Sequence, residues 1–199
     1  MKQNKVFVAI TGGIGSGKSS ALACIKSLGY PSFSADEFGR GIYKEKTVFE
    51  ETARAFPHCI KAGEVDRKML AETVFSDPEK LKNLNAITHP AIMKKMFAEM
   101  ERAEGRLVFA EVPLLFEEGY ESLFDEVIVL VRAAEERIGA VAARDGISRE
   151  DVSSRIKNQW DYEKNLPAGH TVIYNEGDIG SLDRQVARVV QTFAEKYHI

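Results

Sequence analysis

A chain of 199 residues, 44% apolar and 29% charged, has the length and balance of one soluble domain with a single core and room for a small appendage. Its net charge of −3 argues against bulk nucleic-acid affinity, which needs a clustered positive surface. Cys24 and Cys59 lack metal-ligand spacing and read as reduced thiols, while the short apolar run after Met1-Lys2-Gln3-Asn4-Lys5 is too brief for a signal segment or a membrane span. The expected setting is the cytoplasm, with neither membrane nor nucleic acid as partner and with the oligomeric state open.

The first predicted element is a strand, Val6–Ile10. It runs into Gly12-Gly13-Ile14-Gly15-Ser16-Gly17-Lys18-Ser19, which fits G-x-x-x-x-G-K-S/T in full. A helical pattern over 20–28 follows and is closed by Gly29. Strand, glycine loop and helix in that order separate a phosphate-binding loop from a chance glycine run. Glycines let successive N–H groups turn inward as a nest, and the helix N-terminus adds the positive end of its dipole. Lys18 is then placed to bridge the outer phosphates as a point charge, and the Ser19 hydroxyl to ligate Mg²⁺. The chain is expected to bind a nucleoside triphosphate.

A short strand at Ser32–Ser34 comes next, and Asp36 lies two residues beyond it. A carboxylate there can accept the proton of an attacking hydroxyl, hold water on Mg²⁺, or cap a helix over 37–40; position alone leaves all three open. From 36 to 105 only helical pattern is expected. One helix opens at Asp77-Pro78, with proline at its first position. A separate one opens at Thr88-His89-Pro90, puts Met93, Met96, Phe97 and Met100 on one face, and stops at Gly105. Such an insert, packed beside a sheet whose ligands gather at the strands' carboxyl ends, suits a second substrate. His89 is assigned a structural or substrate-contacting role ahead of proton transfer, because phosphoryl transfer is mostly positioning and electrostatics.

Leu107–Val112 reads as the third strand. Glu111 near its end occupies roughly the place of a Walker-B carboxylate, and Pro113, unable to donate to the ladder, ends it. Leu114, Leu115 and Phe116 wall a pocket or join the core. Glu126–Val131 is the fourth strand and Thr171–Tyr174 the fifth, with a helical excursion over 133–164 between them. Within it Ser148-Arg149-Glu150-Asp151 resembles a capping box. Arg137, Arg144, Arg149, Arg155 and Lys157 make the segment a lid over phosphates, although each arginine singly reads as a solvated charge. Continuous apolar strands alternating with helices give an α/β fold: a five-stranded parallel sheet flanked by helices, with a helical insert at 36–105 and a small helical lid at 133–164, in one domain spanning 1–199.

Two partial guanine-nucleotide matches, Asp36-Glu37-Phe38-Gly39 and Asn158-Gln159-Trp160-Asp161, read as coincidence. The first pattern is very short; the second has Gln where Lys belongs and falls at a helix end. The function classes in play are therefore a small-molecule kinase, whose acceptor the insert selects, and a slowly hydrolysing nucleotide switch.

Taken together, the loop with Thr11 before it, Ala35-Asp36, Leu84-Asn85-Ala86-Ile87-Thr88-His89-Pro90, Val112-Pro113-Leu114-Leu115-Phe116-Glu117, Arg144-Asp145-Gly146, Arg155 with Gln159, and Ile173 with Asn175-Glu176-Gly177 resemble the dephospho-CoA kinases over nearly the whole length. The resemblance implies a P-loop sheet with a helical CoA domain and a lid. It implies transfer of the γ-phosphoryl of ATP, with Mg²⁺, to the ribose 3′-hydroxyl of dephospho-CoA, giving CoA and ADP. ATP is then expected on Gly13, Ile14, Gly15, Ser16, Gly17, Lys18, Ser19 and Ser20, with Asn175 and Gly177 near adenine and Ser19 on the metal. Lys18, Asp36 and Arg144 carry the chemistry, Asp36 as base and Arg144 as a lid arginine. Arg40, His89 and Pro113 fall with Asp36 near the CoA site. Departures from the family pattern are Ser34, Ala140, Gly169-His170 and Tyr174, which bear on Mg²⁺ positioning and nucleotide affinity more than on reaction type.

Overall fold

A computed structural model describes residues 5–157, 159–162, 164–166 and 168–199. Its elements run β1 (Val6–Gly12), α1 (Lys18–Ser27), β2 (Ser32–Ser34), α2 (Ala35–Gly41), α3 (Lys46–Ala55), β3 (Ile60–Lys61), β4 (Glu64–Val65), α4 (Arg67–Phe75), α5 (Pro78–Arg102), β5 (Leu107–Glu111), β6 (Glu126–Val131), α6 (Ala134–Asp145), α7 (Arg149–Lys157), β7 (Thr171–Tyr174) and α8 (Ile179–Lys196).

The apolar runs form one five-stranded parallel sheet in the order β2-β5-β1-β6-β7. β1 sits at its centre, paired with β5 from Val6–Leu107 to Ile10–Glu111 and with β6 from Val8–Glu126 to Gly12–Leu130. Val8, Ile10, Phe109 and Leu130 are fully buried. Strands covered on both faces have no polar side to alternate with, which is why they read as unbroken runs. One cluster joins these strands to Ala21 and Ile25 of α1 and to Leu182, Val186, Val190 and Phe193 of α8. Each such aliphatic side chain stabilises the fold by about 1.5–3 kcal/mol through burial. This packing fixes α1, and with it the loop that feeds its N-terminus.

The chain divides into two compact units, Met1–Phe33 with Met100–Ile199, and Ser34–Glu99. The smaller unit has its own core of Phe56, Cys59, Leu70, Val74 and Leu84, flanked by Tyr43, Val65 and Met69.

Two features differ from the sequence expectation, and one open alternative falls away. The helix expected to restart at Thr88-His89-Pro90 does not; α5 runs unbroken through Pro90. Proline there removes the bond to the Ala86 carbonyl. Leu84, Thr88, Met93, Met96 and Met100 are nevertheless all buried, so one continuous stripe holds the helix together. The segment expected to be wholly helical contains a hairpin, β3 with β4, pairing Ile60 with Val65 and Lys61 with Glu64. Asp36 does not cap a helix either: Ser34 stands at the cap position of α2, and Asp36 lies inside its first turn.

Candidate active site

β1 hands the chain to the glycine loop at the sheet's carboxyl edge, between β5 and β6. The loop then leads into the N-terminus of α1, where the Ser16 N–H donates back to the Gly13 carbonyl at 3.1 Å. Gly17 has φ 103, a left-handed conformation that suits glycine. A Cβ there would also stand 2.5 Å from Asn175 Nδ2. That amide donates to the Ser16 carbonyl at 2.9 Å, and the Asn175 N–H donates to Val131 O at 2.8 Å. Asn175 therefore ties the loop to the end of β6. Gly177, two residues on, has φ 112 and is exposed.

Inside the loop, Ser16 Oγ is buried with no hydrogen-bond partner among the described residues, an unsatisfied group of the kind a phosphate oxygen can meet. Lys18 Nζ donates to the carbonyls of Gly12 at 2.8 Å and Gly13 at 3.0 Å. Ser19 Oγ donates to Glu111 Oε1 at 3.2 Å, which brings the hydroxyl and the carboxylate at the end of β5 into one group. Ser20 follows, half-buried, in the first turn of α1. No cluster of three or more His, Cys, Asp or Glu suited to a metal occurs among the described residues.

The excursion after β6 packs onto this loop. Arg137 of α6 is 6% exposed, and a Cβ on Gly13 would collide with its Nη1. A Cβ on Gly15 would meet Val141 Cγ2 at 2.8 Å and the Arg137 carbonyl oxygen at 3.0 Å. Gln159 Oε1 accepts the Ile14 N–H at 2.8 Å. Below it, Tyr162 shares a hydrogen bond with Thr11 Oγ1 at 3.2 Å, and burial pushes its phenol pKa up. Phe116 lies 6.0 Å from Trp160, 6.1 Å from Tyr162 and 5.4 Å from His170 between ring centres, so the turn after β5 and the segment after α7 share one aromatic cluster. Pro113 opens that turn, half-buried, and Leu115 belongs to the core.

Arg144 is held differently from Arg137. Its side chain is 62% exposed and forks onto Asp145 at 2.7 and 3.0 Å, which lowers that carboxyl's pKa. At Ser148 half of the capping box forms: the Asp151 N–H donates to Ser148 Oγ at 3.0 Å, while that hydroxyl donates to Asp151 Oδ2 at 2.7 Å. Arg149 pairs with Glu135, tying α7 to α6. Asn158, one residue of the partial guanine motif, lies outside the described residues.

In the smaller unit Asp36 and Arg40 are exposed in the first and last turns of α2, and His89 is half-buried on α5. Arg40 also lines a cavity of about 640 Å³ with Tyr43, Lys44, Lys46, Phe49, Glu64 and Arg67. Arg67 stacks 5.5 Å above the Tyr43 ring and donates to Gly39 O at 3.0 Å.

The larger unit thus brings together Gly13 to Ser20, Glu111 and Asn175. Sequence reasoning named Arg137 only as one of five basic lid residues and read it singly as a solvated charge, whereas it is buried. The usable signal was its spacing, one turn before Val141 on the buried stripe of α6.

The sequence matches the model of the dephospho-CoA kinase family over residues 6–181. It is 38% identical over 188 residues to a dephospho-CoA kinase of Thermus thermophilus, covering 94% of this chain and 92% of that one. A solved Thermus thermophilus structure aligns with TM-score 0.82 at 38% identity, covering 94% of this chain and 97% of the other. The dephospho-CoA kinase of Campylobacter jejuni aligns with TM-score 0.70 at 30% identity over 96% of this chain and 98% of its own.

Proposed function

The chain belongs to the dephospho-CoA kinase family, and on that premise we propose that it transfers the γ-phosphoryl group of ATP to the ribose 3′-hydroxyl of dephospho-CoA, the last step of CoA biosynthesis. The observation that carries the reading is the phosphate loop. A glycine loop at a helix N-terminus with an unsatisfied, buried Ser16 hydroxyl inside it fits a polyphosphate.

Lys18 sits on the loop's own carbonyls and needs only a rotation of its flexible stem to meet the β- and γ-phosphates. Ser19 and Glu111 present the oxygen ligands that suit Mg²⁺, which keeps several waters and takes few protein groups beside phosphate oxygens. When bound, the ion neutralises charge on the phosphates. Asp36 takes the proton as the 3′-oxygen attacks the γ-phosphorus; the bond to the ADP oxygen breaks in line, and ADP leaves. Arg144 releases Asp145 and closes from the lid over the charge that redistributes. Asn175, bonded to the Ser16 carbonyl, and Gly177 are assigned to the adenine. Arg40, His89 and Pro113 hold the acceptor, and the four basic side chains of the insert's cavity supply charge for its phosphates. No helix among the described residues is long and apolar enough to cross a membrane, and the proposed site of action is the cytoplasm.

Asp36→Asn tests the assignment of the base. We expect kcat to fall roughly 10²–10⁴-fold, the usual worth of a positioned general base, with ATP affinity little changed. Near-normal turnover would remove Asp36 from that role. Lys18→Ala should instead lose most activity, because the phosphate charge goes unbalanced.

A further inference from the structure

Of the basic residues in the lid segment, Arg137 is the buried one among those described. Charged side chains are seldom buried without a reason, because removal from water penalises the ion. Here the guanidinium lies against the phosphate loop: a Cβ on Gly13 would overlap Nη1 and lie 3.2 Å from Cζ. The same Cβ would lie 3.7 Å from Gln159 Oε1, so the cation and the Gln159 amide occupy one side of Gly13. That amide oxygen accepts the Ile14 N–H, so the residue beside Arg137 is itself bonded to the loop. Lys18 reaches the Gly12 and Gly13 carbonyls, so two cations lie against the first glycines of the loop. Gly13 and Gly15 serve a second purpose beyond the nest, since they let α6 approach closely enough to put Arg137 there.

We propose that Arg137 is a nucleotide-binding residue that contacts the outer phosphates and sets the preference of this chain for a triphosphate over a diphosphate. Arg144, seven residues on and so roughly two turns along the same face of α6, joins only when the lid closes. The resulting division of labour is a resident cation for ground-state binding and a mobile one for the transition state. The proposal rests on the ATP reading of the loop but not on the identity of the acceptor.

The test is equilibrium binding of ATP and of ADP to the full chain, read by calorimetry and by the fluorescence of Trp160, the single tryptophan and the neighbour of Gln159. The variants are Arg137→Met, which keeps the stem and removes the charge, Arg137→Gln, and Arg188→Ala as an exposed arginine of α8, outside the lid. Thermal unfolding without nucleotide reports the structural cost of each. We expect Arg137→Met to weaken ATP binding roughly 10- to 100-fold, the scale of one charge-assisted contact, and ADP binding by less than about 3-fold. Arg188→Ala should keep the wild-type ratio. A folded Arg137→Met or Arg137→Gln protein with the wild-type ratio overturns the proposal; should Met not fold, Gln decides. Loss of the ratio without any stimulation by dephospho-CoA would leave the proposal standing and remove the acceptor. An unchanged ratio with full stimulation would do the reverse.

Discussion

At Gly17 two independent constraints meet on one residue. Its φ of 103 disfavours any L side chain, and Asn175 Nδ2 occupies the space that a Cβ needs. Gly17→Ala should therefore cost about 1–2 kcal/mol from backbone strain alone. Displacing the Asn175 amide from the Ser16 carbonyl adds to that cost. Urea unfolding of the nucleotide-free protein would register it, and an unchanged midpoint would mean the loop relaxes without using Asn175. At this scale the sequence told half the story. The loop's glycines, Lys18 and Ser19 are legible because their spacing is itself the chemistry. Arg137 is not, since a string of letters shows its charge but not the approach of α6 that buries it. Gln159 stood out in the family resemblance, yet its bond to Ile14 spans 145 positions and no local rule reaches that far.

Elements show where local rules win and where they lose. The strands were readable to within two residues because burial on both faces leaves an apolar run. The hairpin between α3 and α4 was not, because each strand has two residues and the turn lacks its usual residue. Ala62 and Gly63 both take positive φ, 50 and 80, as a two-residue hairpin turn requires. Asn-Gly is the preferred pair there, and alanine carries the left-handed strain. Ala62→Asn should stabilise the protein by about 0.5–1 kcal/mol, seen as a raised urea midpoint. A lowered midpoint would show that Ala62 makes a contact worth more than its strain. Pro90 illustrates the opposite failure. Pro at a first helical position is a sound local reading, but a helix that buries Leu84, Met93, Met96 and Met100 along one stripe outweighs one missing bond.

For the whole molecule, titration gives a check on packing across both units. Burial raises the phenol pKa of Tyr43, Tyr120, Tyr162 and Tyr197. A phenol that holds its proton more tightly when folded adds stability below about pH 10, the value of an exposed tyrosine, and loses it as pH climbs further. The carboxyls of Asp66, hydrogen-bonded to Lys61, and Asp77, bonded to the Lys80 N–H, are lowered instead. Their contribution is present above about pH 4 and fades as pH falls through that range. Thermal midpoints measured against pH should thus stay level between those limits and fall at both ends. A midpoint that stays level well above pH 10 would mean the tyrosines are not packed as described. The division into two units was visible only as an uneven spacing of strands, because the contacts that make the smaller unit compact, such as Phe56 and Cys59 with Leu70 and Leu84, carry no sequence period of their own.

The acceptor decides the function of this protein. The most direct measurement is ADP release from Mg·ATP by the purified chain with dephospho-CoA, AMP, CMP, nucleosides or no acceptor, with the product identified by mass. Dephospho-CoA alone should stimulate strongly and yield a product heavier by one phosphoryl group, which is CoA. Stimulation by a nucleoside or nucleotide in its place, or by nothing offered, would contradict the proposed function.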